Sequence, residues 1–292
     1  MHYRNLGETH VSAVGLGAMP LSIENRPDEA RAIATIHAAL DAGITLIDTA
    51  DSYHWHADET GHNELLIARA LAAYGQDTSG ILVATKGGRG RPGDGSWTVT
   101  GTPEHLKRAC EGSLKRLGTD VIGLYQLHKP DPAVRFTDSV GALAELVGEG
   151  KVRKVGLSNV TVDQIRQAHA ILGDDLVSVQ NEFSPSVRDS APELRLCAEL
   201  GLAFLPWSPL GGISHSSLDG PSNLGTGTPP KFAGFHQLAA EKGVSPQQIC
   251  LAWHLHLAPT TIVIPGSSRP ETIRASAAAA DLTLTPEDLA RL

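Results

Sequence analysis

One alternation, repeated eight times along 292 residues, constrains this chain more than any other feature: a short apolar run, then a longer stretch with helical periodicity. The apolar runs end near Gly17, Ile47, Thr85, Leu127, Leu157, Val179, Leu205 and Ile264. They do not alternate apolar with polar residues, as a strand with one wet face would. Continuous runs mark strands covered on both faces, the habit of a parallel sheet. Helical periodicity is expected over Pro27–Asp41, Asn63–Ala73, Thr102–Leu117, Thr137–Val147, Val162–Ile171, Ala191–Leu200, Phe232–Glu241, Pro246–Leu257, Pro270–Ala279 and Pro286–Leu292. The third of these opens on Thr102-Pro103-Glu104 and stops at Gly118, which are helix start and stop signals. Eight strand–helix units in this length predict an α/β fold, a (β/α)8 TIM barrel. His2–Asn5 and Val11–Val14 flank a Gly-Glu-Thr-His turn and predict an N-terminal β-hairpin cap. A doubly wound open sheet with a second domain is the alternative. No linker divides the chain, so one domain over residues 1–292 is expected. Pro209 to Lys231, rich in Gly, Ser and Pro, is the longest irregular stretch and reads as a functional loop.

Composition narrows the function classes. The net charge of −8 with scattered Lys and Arg gives no basic footprint for nucleic acid. Cys110, Cys197 and Cys250 match no metal or redox spacing, and so sparse a count suits reduced thiols. No apolar run approaches the ~18 residues of a membrane span, and no secretory leader is visible. A cytoplasmic protein without nucleic-acid or membrane partners is expected; no feature specifies an oligomeric state. Gly15 and Gly17 invite a dinucleotide fingerprint, but Pro20 stands at the third glycine position and no helix follows directly, so that motif is rejected.

Polar residues recur just past the strand ends. Ile44–Ile47 ends at Asp48, with Tyr53 five residues on; Lys86 follows the third strand and His128 the fourth. Ser158 and Asn159 follow the fifth, Gln180 the sixth, Trp207 and Ser208 the seventh, and Gly266, Ser267, Ser268 and Arg269 the eighth. Singly, each reads equally well as a strand cap or as packing. In a (β/α)8 barrel all of these points converge on the C-terminal face, where active sites lie.

The settings Ile-Asp-Thr-Ala-Asp-Ser-Tyr, Val-Ala-Thr-Lys and Tyr-Gln-Leu-His-Lys-Pro-Asp place Asp48, Tyr53, Lys86 and His128 in a pattern that resembles the catalytic tetrad of the aldo-keto reductases. Gly156-Leu157-Ser158-Asn159, Val179-Gln180-Asn181-Glu182, Trp207-Ser208-Pro209-Leu210-Gly211-Gly212 and Ile264-Pro265-Gly266-Ser267 resemble that family's cofactor motifs. The resemblance covers nearly the whole chain and is nearest to the bacterial branch, which is also similar to the β subunits of voltage-gated potassium channels. It implies an NADP(H)-dependent oxidoreductase that reduces an aldehyde or ketone by direct hydride transfer. Its alternative is an NADP-binding regulatory protein of the channel-subunit kind.

Elementary chemistry agrees with that implication. A phenol with a pKa near 10 is a reluctant acid at neutral pH; a cationic Lys86 beside Tyr53 is expected to lower it, with Asp48 holding the ammonium in place. His128 can donate to the carbonyl oxygen. Ser158, Asn159 and Gln180 offer groups for a nicotinamide carboxamide, and Trp207 a face to stack on it. Ser208, Leu210 and Gly212 offer a hydroxyl and backbone N–H groups for pyrophosphate. Gly266, Ser267 and Ser268 follow the eighth strand, where barrels bind phosphate, and Arg269 suits the 2′-phosphate of NADP. Many relatives carry lysine where Gly266 stands, arginine where Thr272 stands, and Glu-Asn where Ala275 and Ser276 stand, so the adenine-side contacts are thinned and NAD stays open as the cofactor.

The remaining features read more plainly. His54, His56 and His62 lack the partners of a metal site, and His254 and His256, two apart on a helix, do not face together. The loop from Gly87 to Gly101, with Arg89, Arg91 and Trp97, is expected in the substrate-pocket wall, together with Met19, Trp55 and the start of Lys129–Phe136. Small aldehydes, aromatic aldehydes such as pyridoxal, and sugar-like carbonyls all fit the sequence.

Overall fold

The structure is a computed structural model that describes residues 1–212, 216–219 and 232–292; most of the expected Pro209–Lys231 loop lies outside them. The hairpin comes first, β1 (Tyr3–Leu6) against β2 (Thr9–Ser12). Its turn has two residues rather than the expected four, because Thr9 and His10 pair with Leu6 and Asn5. Gly7 takes up the reversal at φ +59°.

Seven parallel strands follow: β3 (Leu16–Gly17), β4 (Leu46–Asp48), β5 (Leu82–Gly87), β8 (Ile122–Leu127), β9 (Val152–Ser158), β10 (Leu176–Gln180) and β11 (Ala203–Phe204). Each pairs with the next in that order. A short antiparallel ribbon, β6 (Arg89–Gly90) with β7 (Thr98–Val99), follows β5. The expected eighth strand, Thr261–Ile264, forms bridges rather than a ladder: Thr261 with Phe204 on one side, Val263 and Gly266 with Val14 and Gly17 on the other. Pro265 just past it has no N–H to give, yet its carbonyl accepts from Gly17 N at 3.0 Å. The sheet thereby closes on itself. The glycines at 15 and 17 belong to this closure: a Cβ on Gly17 would meet the Ile264 carbonyl oxygen at 2.6 Å.

The helices are α1 (Glu29–Asp41), α2 (His62–Ala72), α3 (Pro103–Leu117), α4 (Phe136–Gly148), α5 (Val162–Leu172), α6 (Ala191–Leu200), α7 (Ala233–Lys242), α8 (Pro246–Leu257), α9 (Pro270–Ala278) and α10 (Pro286–Leu289). α1 begins two residues later than expected, since the Asp28 side chain accepts from Arg31 N as an N-cap and leaves Pro27 outside. Inside the barrel Leu46, Ala84, Leu124, Ala203 and Ile262 pack together, and Leu6 and Val11 of the hairpin join this layer. Arg4 fastens the hairpin by donating to the carbonyls of Leu255, Ala258 and Thr261, at the end of α8. The hairpin thus plugs the N-terminal end and leaves the C-terminal end open. Among the described residues, no helix is long and apolar enough to cross a membrane.

Candidate active site

At the open end, Asp48 closes β4, Lys86 lies near the end of β5, and His128 follows β8. The Lys86 ammonium is fully buried and donates to Asp48 Oδ2 at 2.6 Å, the Thr49 carbonyl at 2.8 Å and Tyr53 Oη at 3.0 Å. All three of its protons are therefore used. The other Asp48 oxygen, Oδ1, accepts from the amides of Gln126 at 3.1 Å and Gln180 at 2.8 Å. A buried ion pair is tolerable when its spare lone pairs are satisfied in this way. The Tyr53 ring meets His128 edge-on at 5.6 Å and Trp97 edge-on at 6.4 Å. His128 Nδ1 shares a 3.3 Å hydrogen bond with Ser52 Oγ.

The electrostatics correct one expectation. Burial raises the Tyr53 pKa above its usual value, and the opposing pull of Lys86 does not overcome it. Burial likewise works against the Lys86 charge, but Asp48 and Tyr53 together more than restore it, so its pKa is raised. His128 is held well below its ordinary value by burial and by the charges of Lys86 and Arg89, and is neutral.

A cavity of about 900 Å3 opens over these groups, toward the upper end of the ~300–1,000 Å3 usual for ligand sites. Asp48, Tyr53 and His128 line it, while Lys86 lies beneath the wall. So do Ser158, Asn159, Gln180, Trp207, Ser208, Leu210, Gly212, Gly266, Ser267, Ser268 and Arg269, every residue expected at a cofactor. Asn159 Nδ2 donates to the His128 carbonyl and to Ser158 Oγ. Gln180 spends its amide nitrogen on Asp48 and Gln126. Their amide oxygens, with the Ser158 hydroxyl proton, form a donor and acceptor set suited to a carboxamide. Trp207 Nε1 is buried without a hydrogen-bond partner among the described residues. Arg269 stands at the N-terminus of α9, half exposed and 3.6 Å from Glu271. A Cβ on Gly266 would fall 2.9 Å from Pro20 Cγ, so Pro20 fills the space that a lysine at that position would need. These residues fit a nicotinamide dinucleotide.

Met19, Arg89 and Trp97 stand in the cavity wall as expected. Trp55 does not, stacking instead on His56, and residues 129–136 are also outside it. His54 and His62 bond to the His56 carbonyl and Ser22 Oγ. His254 turns to the Pro209 carbonyl and His256 to the Ala252 carbonyl. Sequence reasoning missed Gln126 as a partner of Asp48; a glutamine inside the apolar run Ile122–Leu127 was the available signal. It also missed Ser52 beside His128, for which the sequence carries no signal.

Comparison with known proteins places this chain in a family. A sequence model described as Aldo/keto reductase family matches residues 13–292, and the chain belongs to that family. It is 34% identical over 291 residues to an uncharacterized oxidoreductase of Schizosaccharomyces pombe, covering 98% of this chain and 87% of that protein. It is 35% identical over 298 residues to a probable aldo-keto reductase of Glycine max, covering 96% and 84%. Among solved structures it resembles the glycerol dehydrogenase of Gluconobacter oxydans, with TM-score 0.82, 27% identity, and 98% and 92% of the two chains covered. It also resembles an aldo-keto reductase of Klebsiella pneumoniae solved in complex with NADPH, with TM-score 0.77, 26% identity, and 99% and 94% covered.

Proposed function

We propose that this protein is an NADP(H)-dependent reductase that interconverts an aldehyde or ketone with its alcohol, with Tyr53 as the general acid. The observation that carries this reading is the hydrogen-bonded chain Asp48–Lys86–Tyr53, which opens beside a neutral His128 into a cavity with room for a dinucleotide and a small substrate. The bound cofactor would supply the hydride. Lys86 already donates to Tyr53 Oη, so the phenol's own proton is left to point at a substrate oxygen. As that proton leaves, the adjacent ammonium stabilises the phenolate. Burial alone makes Tyr53 a poor acid, and Lys86 makes the transfer feasible. Asp48, supported by Gln126 and Gln180, keeps the ammonium charged and aimed. A neutral His128 that accepts from Ser52 at Nδ1 carries its proton on Nε2, from which it can donate to the same oxygen.

Ser158, Asn159 and Gln180 would hold the carboxamide and Trp207 the ring face. Ser208, Leu210 and Gly212 would hold the pyrophosphate. Gly266, Ser267 and Ser268 lie at the α9 N-terminus, which suits a phosphate, and Arg269 the 2′-phosphate. Buried, unpaired Cys110, Cys197 and Cys250 suit a reducing cytoplasmic compartment.

Oxidation of NADPH and of NADH against a panel of aldehydes and ketones, with cofactor affinity measured separately, tests the reading. Carbonyl-dependent oxidation with higher kcat/KM for NADPH is expected. Tight cofactor binding without carbonyl-dependent turnover would overturn the reductase, and a clear NADH preference would overturn the role of Arg269.

A further inference from the structure

The wall beside Tyr53 carries a cation that the reduction chemistry does not use. Two guanidinium groups pack on the Trp97 ring, Arg89 at 4.6 Å and Arg91 at 4.5 Å from its centroid. The two are not equivalent. Arg91 is buried, donates to the His54 carbonyl at 3.0 Å and forms an ion pair with Glu24. Arg89 lines the cavity, and its side chain has no hydrogen bond or ion pair among the described residues. The nearby carboxylates are committed elsewhere, Glu24 to Arg91 and Asp48 to Lys86. A guanidinium partly withdrawn from water keeps a desolvation cost that cation–π contact offsets only in part. Trp97 meets Tyr53 at 6.4 Å and His128 at 6.2 Å, so Arg89 stands one ring's width from the groups that would receive a carbonyl oxygen.

We infer that Arg89, presented into the cavity by the β6–β7 ribbon and braced on Trp97, binds a carboxylate on the substrate, so that the substrates are aldehydes or ketones with a carboxylate a short chain away from the carbonyl. This deepens the proposed reductase reading and rests on it. A planar guanidinium offers paired N–H donors that match a carboxylate's two oxygens. With a single unpaired guanidinium at the wall among the described residues, a carboxylate is favoured over a phosphate, whose extra oxygens would go unmet. Arg91 acts on position only: its pairing with Glu24 and stacking on Trp97 hold the platform.

The test compares kcat/KM for succinic semialdehyde and its methyl ester, and for glyceraldehyde phosphate and glyceraldehyde. A preference of about 10- to 100-fold for the acid over its ester is expected, the range of a charge-assisted hydrogen bond. Arg89→Met should bring that ratio close to one, and Arg89→Lys, which keeps the charge on a similar stem, should retain part of it. An acid-to-ester ratio near one in the wild type, or a ratio unchanged in Arg89→Met, overturns the assignment. So does a larger preference within the phosphate pair. If no carbonyl in either pair is turned over, the reductase reading has failed on its own, and binding decides the subsite. Succinate titrated into the NADP-loaded protein and followed by tryptophan fluorescence should then saturate in the wild type and not in Arg89→Met; no saturation in the wild type overturns it.

Discussion

Lys86 is the residue on which the site depends, because its ammonium makes three hydrogen bonds at full burial and joins the acid to the phenol. Removing one member of a buried pair leaves the other charge uncompensated, at a cost of about 3–5 kcal/mol. Lys86→Met is therefore expected to lower unfolding free energy by about that much in urea titrations. A loss below about 1 kcal/mol would mean that Gln126 and Gln180 satisfy Asp48 unaided. Nearby Asp51 is a second buried carboxyl, pushed up to about 8 by burial and by Glu64. Its folded pKa exceeds the usual carboxylate value, so its contribution to stability is complete below about pH 4 and is lost as pH rises toward 8. Asp51→Asn should accordingly show a flatter decline in stability than wild type between pH 6.5 and 8. Parallel curves for the two proteins would show that Asp51 does not titrate there.

At the scale of elements, barrel closure rests on a narrow seam. The segment after α8 is held by isolated bridges, one to β11 at Phe204 and two on the other side at Val14 and Gly17, and Gly17 allows the approach. Gly17→Ala must push β3 away from the Ile264 carbonyl, and is expected to lower the melting temperature. Gly141→Ala in α4, where an added Cβ meets nothing within 4 Å, should raise stability by about 0.5–1 kcal/mol through helix propensity. Equal effects at the two positions would show that the seam is not tight. The seam also illustrates what the sequence conveys. The run Thr261–Ile264 announces a buried strand, but its partners on both sides are set by curvature that no local pattern encodes. The hairpin was similarly visible as two strands and a turn, while its two-residue register emerged only from pairing. The β6–β7 ribbon carries Arg89, and Trp97 stands just before β7 in a Gly-rich loop where it packs against Tyr53 and His128, so the cation–π stack was not readable in advance.

For the molecule as a whole, the apolar runs fixed the barrel order because each strand had to be covered on both faces. The same order carries every strand end, and thus every polar residue that follows one, to a single rim. That is why Asp48, Tyr53, Lys86, His128 and the predicted cofactor-side residues could be grouped from sequence alone. Their hydrogen-bond partners could not: Gln126 and Gln180 meet at Asp48 from strands far apart in the chain. The sign of the Tyr53 shift also escaped sequence reasoning, since burial is a property of the folded rim. The most direct test of the central proposal is single-turnover oxidation of NADPH by wild type and Tyr53→Phe with one carbonyl substrate, with NADPH affinity followed by fluorescence. A general acid at Tyr53 predicts a rate lower by about 10²–10⁴ in the variant with affinity retained. A near-wild-type rate in Tyr53→Phe would contradict it.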